Sequence, residues 1–190
     1  MRGRVRKDLS DAGSLVWPDD QLDRHIEHAL SELSLAMPRE LATTVSTTDG
    51  SRDIAIDGLA GLSEVETAEY PLEQFPPAFI GFSVWGSVLS LHSPAEPDGD
   101  DAKLYYTAVH VLDDVGTTLN DAHIDILVTG ATAYAAQELA SATANQLSLE
   151  PGASERYAAW SRARLTAFRQ LLHTYGRKNR LRGRRMYVPA

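Results

Sequence analysis

Three stretches of the chain place apolar residues at the three- and four-residue spacing of an amphipathic helix. The first runs from about Pro18 to Ala36, with a proline and two acids at its start. The second follows an Asn120-Asp121 cap and reaches about Leu147. The third begins near Ser154 and spans roughly 22 residues, or about 33 Å. We therefore predict three main helices, of which the last is long.

Between the first two helices the apolar pattern changes to a period of two, which is typical of β-strands. Runs at 43–46 and 53–56 predict a hairpin around Asp49-Gly50. Further strand-like runs occupy 65–70, 79–91 with a break at Trp85-Gly86, and 103–111. In the last run Leu104, Tyr106 and Ala108 share one face. The pattern predicts an antiparallel sheet of about five short strands.

These elements predict an α+β protein with a helical core, an inserted antiparallel β lobe and extended basic termini. Alanines along the second predicted helix lack bulk, so we expect neighbouring helices to approach it closely. The predicted divisions are a basic N-terminal arm and lead-in at 1–16, the helical core at 17–38 and 117–176, the β lobe at 41–112, and a basic C-terminal arm at 177–190.

Charge is distributed unevenly along the chain. Residues 1–7 carry four Lys or Arg and residues 176–190 carry six, with no Asp or Glu in either stretch. The remaining residues, 8–175, hold 8 of the 18 Lys and Arg and all 26 Asp and Glu, so they carry a net charge of 18 negative. Short segments of like charge repel and stay extended, and they commonly become ordered on a partner. We therefore expect both ends to be arms.

Composition narrows the class of protein. The chain has 190 residues, of which 43% are apolar, and this suits one globular domain or a domain with an inserted lobe. It has no Cys, which excludes disulfides, thiolate metal sites and Cys nucleophiles. No apolar run approaches the roughly 18 residues of a membrane span. We expect a soluble protein made in the cytoplasm.

No sequence pattern indicates catalysis. A nucleophile elbow, a phosphate loop and a dinucleotide fingerprint are all absent from the sequence. His25 and His28 lie three residues apart, but no further ligands stand at a recognisable spacing. The run Asp98, Asp100, Asp101 lacks the order of a calcium loop and reads as a solvated turn. We therefore predict a non-enzymatic protein with no catalytic, cofactor or metal residues. Structural roles are favoured for the other histidines, which are His92, His110, His123 and His173.

The C-terminal arm is the strongest functional signal, because its cations follow a long helix and precede an apolar end. Arginines bind nucleic-acid phosphates and protein carboxylates equally well, so charge alone leaves both partners open. Two tryptophans, Trp85 and Trp160, are candidate interface anchors. The predicted docking residues are Arg177, Lys178, Arg180, Arg182, Arg184, Arg185, Met186, Tyr187 and Val188.

Several segments, taken in order, make the chain resemble the head-to-tail connector, or adaptor, proteins of tailed bacteriophages. They cover most of the sequence. They are Trp17-Pro-Asp-Asp-Gln-Leu-Asp-Arg-His-Ile, Glu69-Tyr-Pro with the following 74–79, Phe82-Ser-Val-Trp-Gly, 127–136, and the helix and tail at 162–187.

The resemblance implies a helical core with a β insertion, assembled as a ring, commonly of twelve subunits, beneath the portal ring of the capsid. It implies that the C-terminal arm docks to the portal, that a stopper, nozzle or tail-tube protein binds the opposite face, and that genomic DNA passes through the lumen without sequence-specific binding. The expected location is the neck of the virion, with no membrane contact. The alternative is a small nucleic-acid-binding protein that uses its arginine-rich tail.

Overall fold

The computed structural model describes residues 1–144 and 152–180, and it confirms the predicted α+β class. These residues form two compact units. The helical unit comprises the described residues of Met1–Met37 and Val111–Ala190, and the β unit comprises Pro38–His110. The helices are α1 Arg2–Asp8, α2 Asp19–Ala36, α3 Asp121–Ala144 and α4 Ala153–Arg180. The strands are β1 Arg39–Ser46, β2 Asp53–Ala55, β3 Leu62–Glu69, β4 Phe79–Ile80, β5 Phe82–Trp85, β6 Val88–Leu91 and β7 Asp101–Ala108.

The structure corrects the expected extended arm at the N-terminus, because residues 2–8 form α1. Val5 on this helix is fully buried in the core of the helical unit, and Arg6 beside it is buried as well. Carboxylates elsewhere in the helical unit neutralise the cations that were expected to repel one another. The run of like charge therefore does not stay extended, because its counter-charges lie within the same unit.

Close contact between α3 and α4 builds the centre of the helical unit. The Phe168 ring of α4 is fully buried against Gly130 of α3, where an added β-carbon would lie 2.8 Å from the ring. Ala131 and Ala135 are also fully buried on α3. The expectation that alanines on this helix allow close packing is therefore confirmed for these positions.

The last helix is longer than the spacing of apolar residues predicts. It ends at Arg180, four residues beyond the predicted end of the helical core at 176. Gly176 does not end the helix. It lies against the end of α2, where an added β-carbon would come 2.6 Å from the carbonyl oxygen of Ala36. This glycine therefore serves close packing between helices, and Arg and Lys beyond it are good helix formers.

The β unit contains two sheets that share one core. The four-stranded sheet has the order β1-β7-β3-β4 and the three-stranded sheet has the order β2-β6-β5, with the strand pairs antiparallel. Leu104, Tyr106 and Ala108 are all buried, which confirms the predicted inward face of the last strand. Leu89 and Leu91 of the second sheet join the same cluster. The prediction of a single sheet of about five strands is therefore wrong.

The predicted hairpin between 43–46 and 53–56 is also wrong. β1 pairs along its whole length with β7, and β2 pairs with β6. The turn at Asp49-Gly50 does form, with a positive φ at Gly50 and an isolated bridge between Thr48 and Ser51, but the chain then leaves the sheet. Local turn chemistry identified this turn correctly, whereas long-range pairing decided which strands flank it.

Candidate interaction surfaces

The N-terminal cations bind carboxylates within the helical unit. Arg2 donates from Nε and Nη2 to Asp23 at 2.6 and 2.5 Å, and this pairing holds the pKa of the Asp23 carboxyl below its usual range. Arg6 donates to Asp11 at 3.0 Å and to Asp19 at 2.6 Å. Much of the positive charge of this end is therefore used in holding α1 against the rest of the unit.

Asp11 organises the turn that leads into α2. Its carboxylate accepts hydrogen bonds from the backbone N–H groups of Leu15, Val16 and Trp17, at 2.8, 3.2 and 3.2 Å. Burial opposes ionisation of this group, but the three N–H donors and Arg6 outweigh it and lower the pKa of Asp11. Trp17 is 5% exposed, so this tryptophan is a core residue.

His25 and His28 do not converge on a common point for a metal. His25 is buried and its Nε2 lies 2.5 Å from Glu138, which also accepts a hydrogen bond from Arg24 at 2.6 Å. His28 points instead toward Glu32, at 3.4 Å. Within residues 1–144 and 152–180, no group of three or more His, Asp or Glu side chains is placed to hold a metal ion.

The two histidines belong to a polar network that joins α2 to α3. Tyr134 donates to Glu32 at 2.6 Å, and burial followed by this hydrogen bond raises the pKa of Tyr134 to about 12. Burial lowers the pKa of His25, and the hydrogen bond from Arg24 lowers the pKa of Glu138. At neutral pH a neutral His25 therefore donates to an ionised Glu138. Pairing of α2 with α3 was not visible in the sequence, since its partners lie more than 100 residues apart.

The predicted solvated turn at 98–101 is a well-anchored surface loop. The backbone carbonyl of Asp100 accepts from the N–H and hydroxyl of Thr47, at 3.1 and 2.6 Å. The N–H of Gly50 donates to the carbonyl of Pro97 at 2.8 Å, which brings Asp49 to the same end of the β unit. We call the exposed carboxylates of this region the acidic loop. Its members are Asp49, Glu96, Asp98, Asp100 and Asp101.

The remaining histidines have varied surroundings. His92 lies 3.3 Å from the Ser83 hydroxyl, and His173 is exposed on α4. His110 is buried, and His123 is half-buried with a pKa lowered by burial. The contact between His92 and the Ser83 hydroxyl joins a histidine to a hydroxyl, and it lies at an exposed position.

The two candidate anchors differ in their surroundings. Trp85 is 81% exposed at the end of the β5–β6 hairpin, where Gly86 has a positive φ and Val84 and Val88 are also exposed. Trp160 on α4 is 36% exposed, and the guanidinium of Arg164 lies 5.2 Å from its ring centre. Arg164 in turn donates to Asp8 at 3.0 Å. Trp85 is therefore the more available of the two for a partner. We call Val84, Trp85 and Val88 the hairpin tip.

The predicted C-terminal docking arm lies largely outside the described residues. The first three of its cations, Arg177, Lys178 and Arg180, lie on the last turns of α4, and their side chains are not described. The other members of the arm are outside the described residues. They are Arg182, Arg184, Arg185, Met186, Tyr187 and Val188.

The two units also differ in charge. The β unit has 12 Asp and Glu against 3 Lys and Arg, whereas residues 1–37 and 111–190 together have 14 Asp and Glu against 15 Lys and Arg.

No helix among residues 1–144 and 152–180 has both the length and the apolar character needed to cross a bilayer. In comparisons with known proteins, the chain matches no protein-family model and no curated protein sequence.

Proposed function

We propose that this chain is a structural subunit of a head-to-tail adaptor ring, of twelve copies, in the neck of a tailed phage. The ring lies beneath the portal, and genomic DNA passes through its lumen. The C-terminal arm at 177–190 docks to the portal, and the hairpin tip contacts the next neck protein. The role is that of a non-enzymatic connector.

The contrast between the two basic ends carries this proposal. Arg2, Arg4 and Arg6 all have carboxylate partners within the helical unit, which removes the N-terminus from consideration as a docking arm. The C-terminal end has six Lys and Arg in residues 176–190 and no acid among them. A long helix that leads into such a segment supports a role in which the segment engages another protein.

The exposed hairpin tip supports a second contact at a different place. Trp85 is 81% exposed and lies beside the exposed Val84 and Val88, and Trp is enriched among the residues that dominate binding energy. The acidic excess of the β unit is unfavourable for gripping DNA, which suits a protein past which DNA must slide. Neither feature requires catalysis.

The decisive experiment mixes the purified protein with portal-bearing, DNA-filled capsids that lack it, in the presence of free duplex DNA. Electron microscopy of the portal vertex is expected to reveal an added ring that the free DNA does not remove. Uptake of the protein by the DNA, with a steep dependence on salt, would instead identify a nucleic-acid-binding protein.

A matched pair of variants tests the arm itself. Replacing Arg182, Arg184 and Arg185 with Gln is expected to abolish capture by the capsids while the helical signal in circular dichroism stays unchanged. Replacing Arg2 and Arg4 with Gln removes cations from the other end and is expected to leave capture intact. Equal loss of capture in both variants would contradict a docking role specific to the C-terminal arm.

A further inference from the structure

The exposed side of α4 combines aromatic, cationic and small side chains. Trp160 and Arg162 flank the exposed Ala159 and Ala163, and Arg169 continues the Arg162 side two turns along. The opposite side of the helix packs into the core, where Phe168 is fully buried and the Ser161 hydroxyl donates to the Ala133 carbonyl at 3.0 Å. We call these five exposed residues, Ala159, Trp160, Arg162, Ala163 and Arg169, the outer α4 face.

This face belongs to the most basic element of the chain. α4 carries seven Lys and Arg and a single acid, Glu155. Arg162 is exposed, and its Nε donates to the carbonyl of Ala158 in the same helix at 3.2 Å. Arg and Trp are both enriched at protein–protein interfaces, and this face presents both.

The β unit provides a surface of opposite charge. Its acids outnumber its cations by 12 to 3, and the acidic loop gathers five of them at one end. The carboxylates of Asp49 and Asp100 are exposed, while the backbone that carries them is held by the bonds from Gly50 to Pro97 and from Thr47 to Asp100. A fixed backbone lowers the entropy that is lost when such a loop binds.

We propose that the outer α4 face of one subunit binds the acidic loop of a second copy of this chain. This inference rests on the proposed ring and names the surfaces that would join its subunits. Two different patches on each subunit make the contact head-to-tail, and such contacts generate rings when the rotation closes. Arginine binds carboxylates in two-bond pairs, and the alanines allow the loop to approach the helix closely.

A second copy fits this face better than nucleic acid does. A neighbouring copy offers the five exposed carboxylates of its acidic loop, which complement the cations of this face. The exposed Trp160 ring adds apolar area that phosphates do not use. DNA binding through the same arginines is the competing outcome of the test below.

The test uses the full chain and two single charge reversals. Arg162→Glu changes the outer α4 face, and Asp100→Lys changes the acidic loop at a side chain whose backbone stays anchored. Lys7→Glu and Asp57→Lys are matched controls, since both positions are exposed elsewhere on their units. Sedimentation measures self-association of each protein up to high concentration, and circular dichroism confirms that each remains folded.

Wild-type protein is expected to form salt-sensitive oligomers, and each reversal is expected to weaken self-association about tenfold or more. In an equal mixture of Arg162→Glu and Asp100→Lys, alternating subunits join opposite charges at every contact, through either the native or the exchanged pair, so oligomers are expected to reappear. The double variant Arg162→Glu/Asp100→Lys, which exchanges the two charges, is expected to recover oligomers.

Several results would overturn this inference. They are wild-type protein that stays monomeric both in solution and on capsids, control variants that weaken association as much as the two reversals, and a mixture that remains monomeric. Loss of duplex DNA binding in Arg162→Glu, with association unchanged, would assign the face to nucleic acid instead. Capture by portal-bearing capsids is measured separately, so failure of the subunit contact and failure of the adaptor role are distinguishable.

Discussion

The helical unit and the β unit use charge in different ways. In the helical unit, acids and cations are nearly equal in number, and several of them pair with each other, as Arg6 does with Asp11 and Arg24 with Glu138. In the β unit acids exceed cations fourfold, and the acidic loop presents five of the twelve to solvent, of which Glu96 pairs with Arg52 at 3.1 Å. Charge in the first unit therefore serves folding, while much of the charge in the second is left for contacts outside the chain.

The two units also differ in where their large aromatic side chains lie. The helical unit buries two large rings, Trp17 and Phe168. The β unit buries mainly aliphatic side chains together with Tyr70 and Tyr106, and its largest apolar group, Trp85, lies at the surface. Truncation of Phe168 or Trp17 should therefore destabilise the protein far more than truncation of Trp85.

The largest difference is expected between two Phe→Ala substitutions. Phe168→Ala removes a fully buried ring from the helical unit and is expected to lower the free energy of unfolding by about 4 kcal/mol. Phe75→Ala removes a ring that is 98% exposed in the β unit and is expected to change it by less than about 0.5 kcal/mol. Urea unfolding followed by circular dichroism measures both. Similar losses in the two variants would show that the packing contrast does not hold.

A smaller but still substantial loss is expected for Asp11→Ala. The substitution removes one of the two carboxylate partners of the buried Arg6 and the acceptor of three backbone N–H groups. It is expected to lower the free energy of unfolding by about 3 kcal/mol. Asp8→Ala breaks the partly exposed pair with Arg164 and is expected to cost about 0.5 kcal/mol. Thermal unfolding of the two variants side by side measures the difference, and equal midpoints would argue against a structural role for Asp11.

Acid should weaken the helical unit through the same carboxylates. Folding lowers the pKa values of Asp11, Asp23 and Glu138. Below about pH 4 these carboxylates are therefore more readily protonated in the unfolded state than in the folded state. Their contribution to stability is therefore complete above that pH and is lost as the pH falls through the folded pKa values. Unfolding measured at a series of acidic pH values is expected to show this decline, and Asp23→Asn is expected to make it shallower. If the free energy of unfolding of Asp23→Asn fell with acid as steeply as that of the wild type, Asp23 would not be one of the carboxylates responsible.

The sequence predicted the elements that depend on local pattern. The three main helices, the inward face of Leu104, Tyr106 and Ala108, and the turns at Gly50 and Gly86 all follow from spacing or backbone chemistry near each residue. What the sequence did not predict depends on partners far along the chain. The pairing of β1 with β7 joins residues 55 or more apart, and no local propensity encodes that choice.

The N-terminal helix illustrates the same limit for charge. Four cations in seven residues predict an extended arm only if no counter-charges are near, and Asp19, Asp23 and Asp125 supply those counter-charges from other helices. Val5 gave a faint signal, as an apolar residue that the charged run surrounds. The His25–Glu138 and Tyr134–Glu32 contacts left no signal of this kind, because the partners in each lie more than 100 residues apart.

The smallest effect on folding, and the sharpest test of the contrast, is expected at the hairpin tip. Trp85→Ala removes a side chain that is 81% exposed and is expected to change the free energy of unfolding by less than about 0.5 kcal/mol. Trp17→Ala, at a side chain that is 5% exposed, is expected to cost about 3 kcal/mol or more. A loss above about 1 kcal/mol for Trp85→Ala, measured by urea unfolding, would mean that the ring packs within the β unit. A negligible loss would show that Trp85 is not needed for folding and would support the proposed contact of the hairpin tip with a partner.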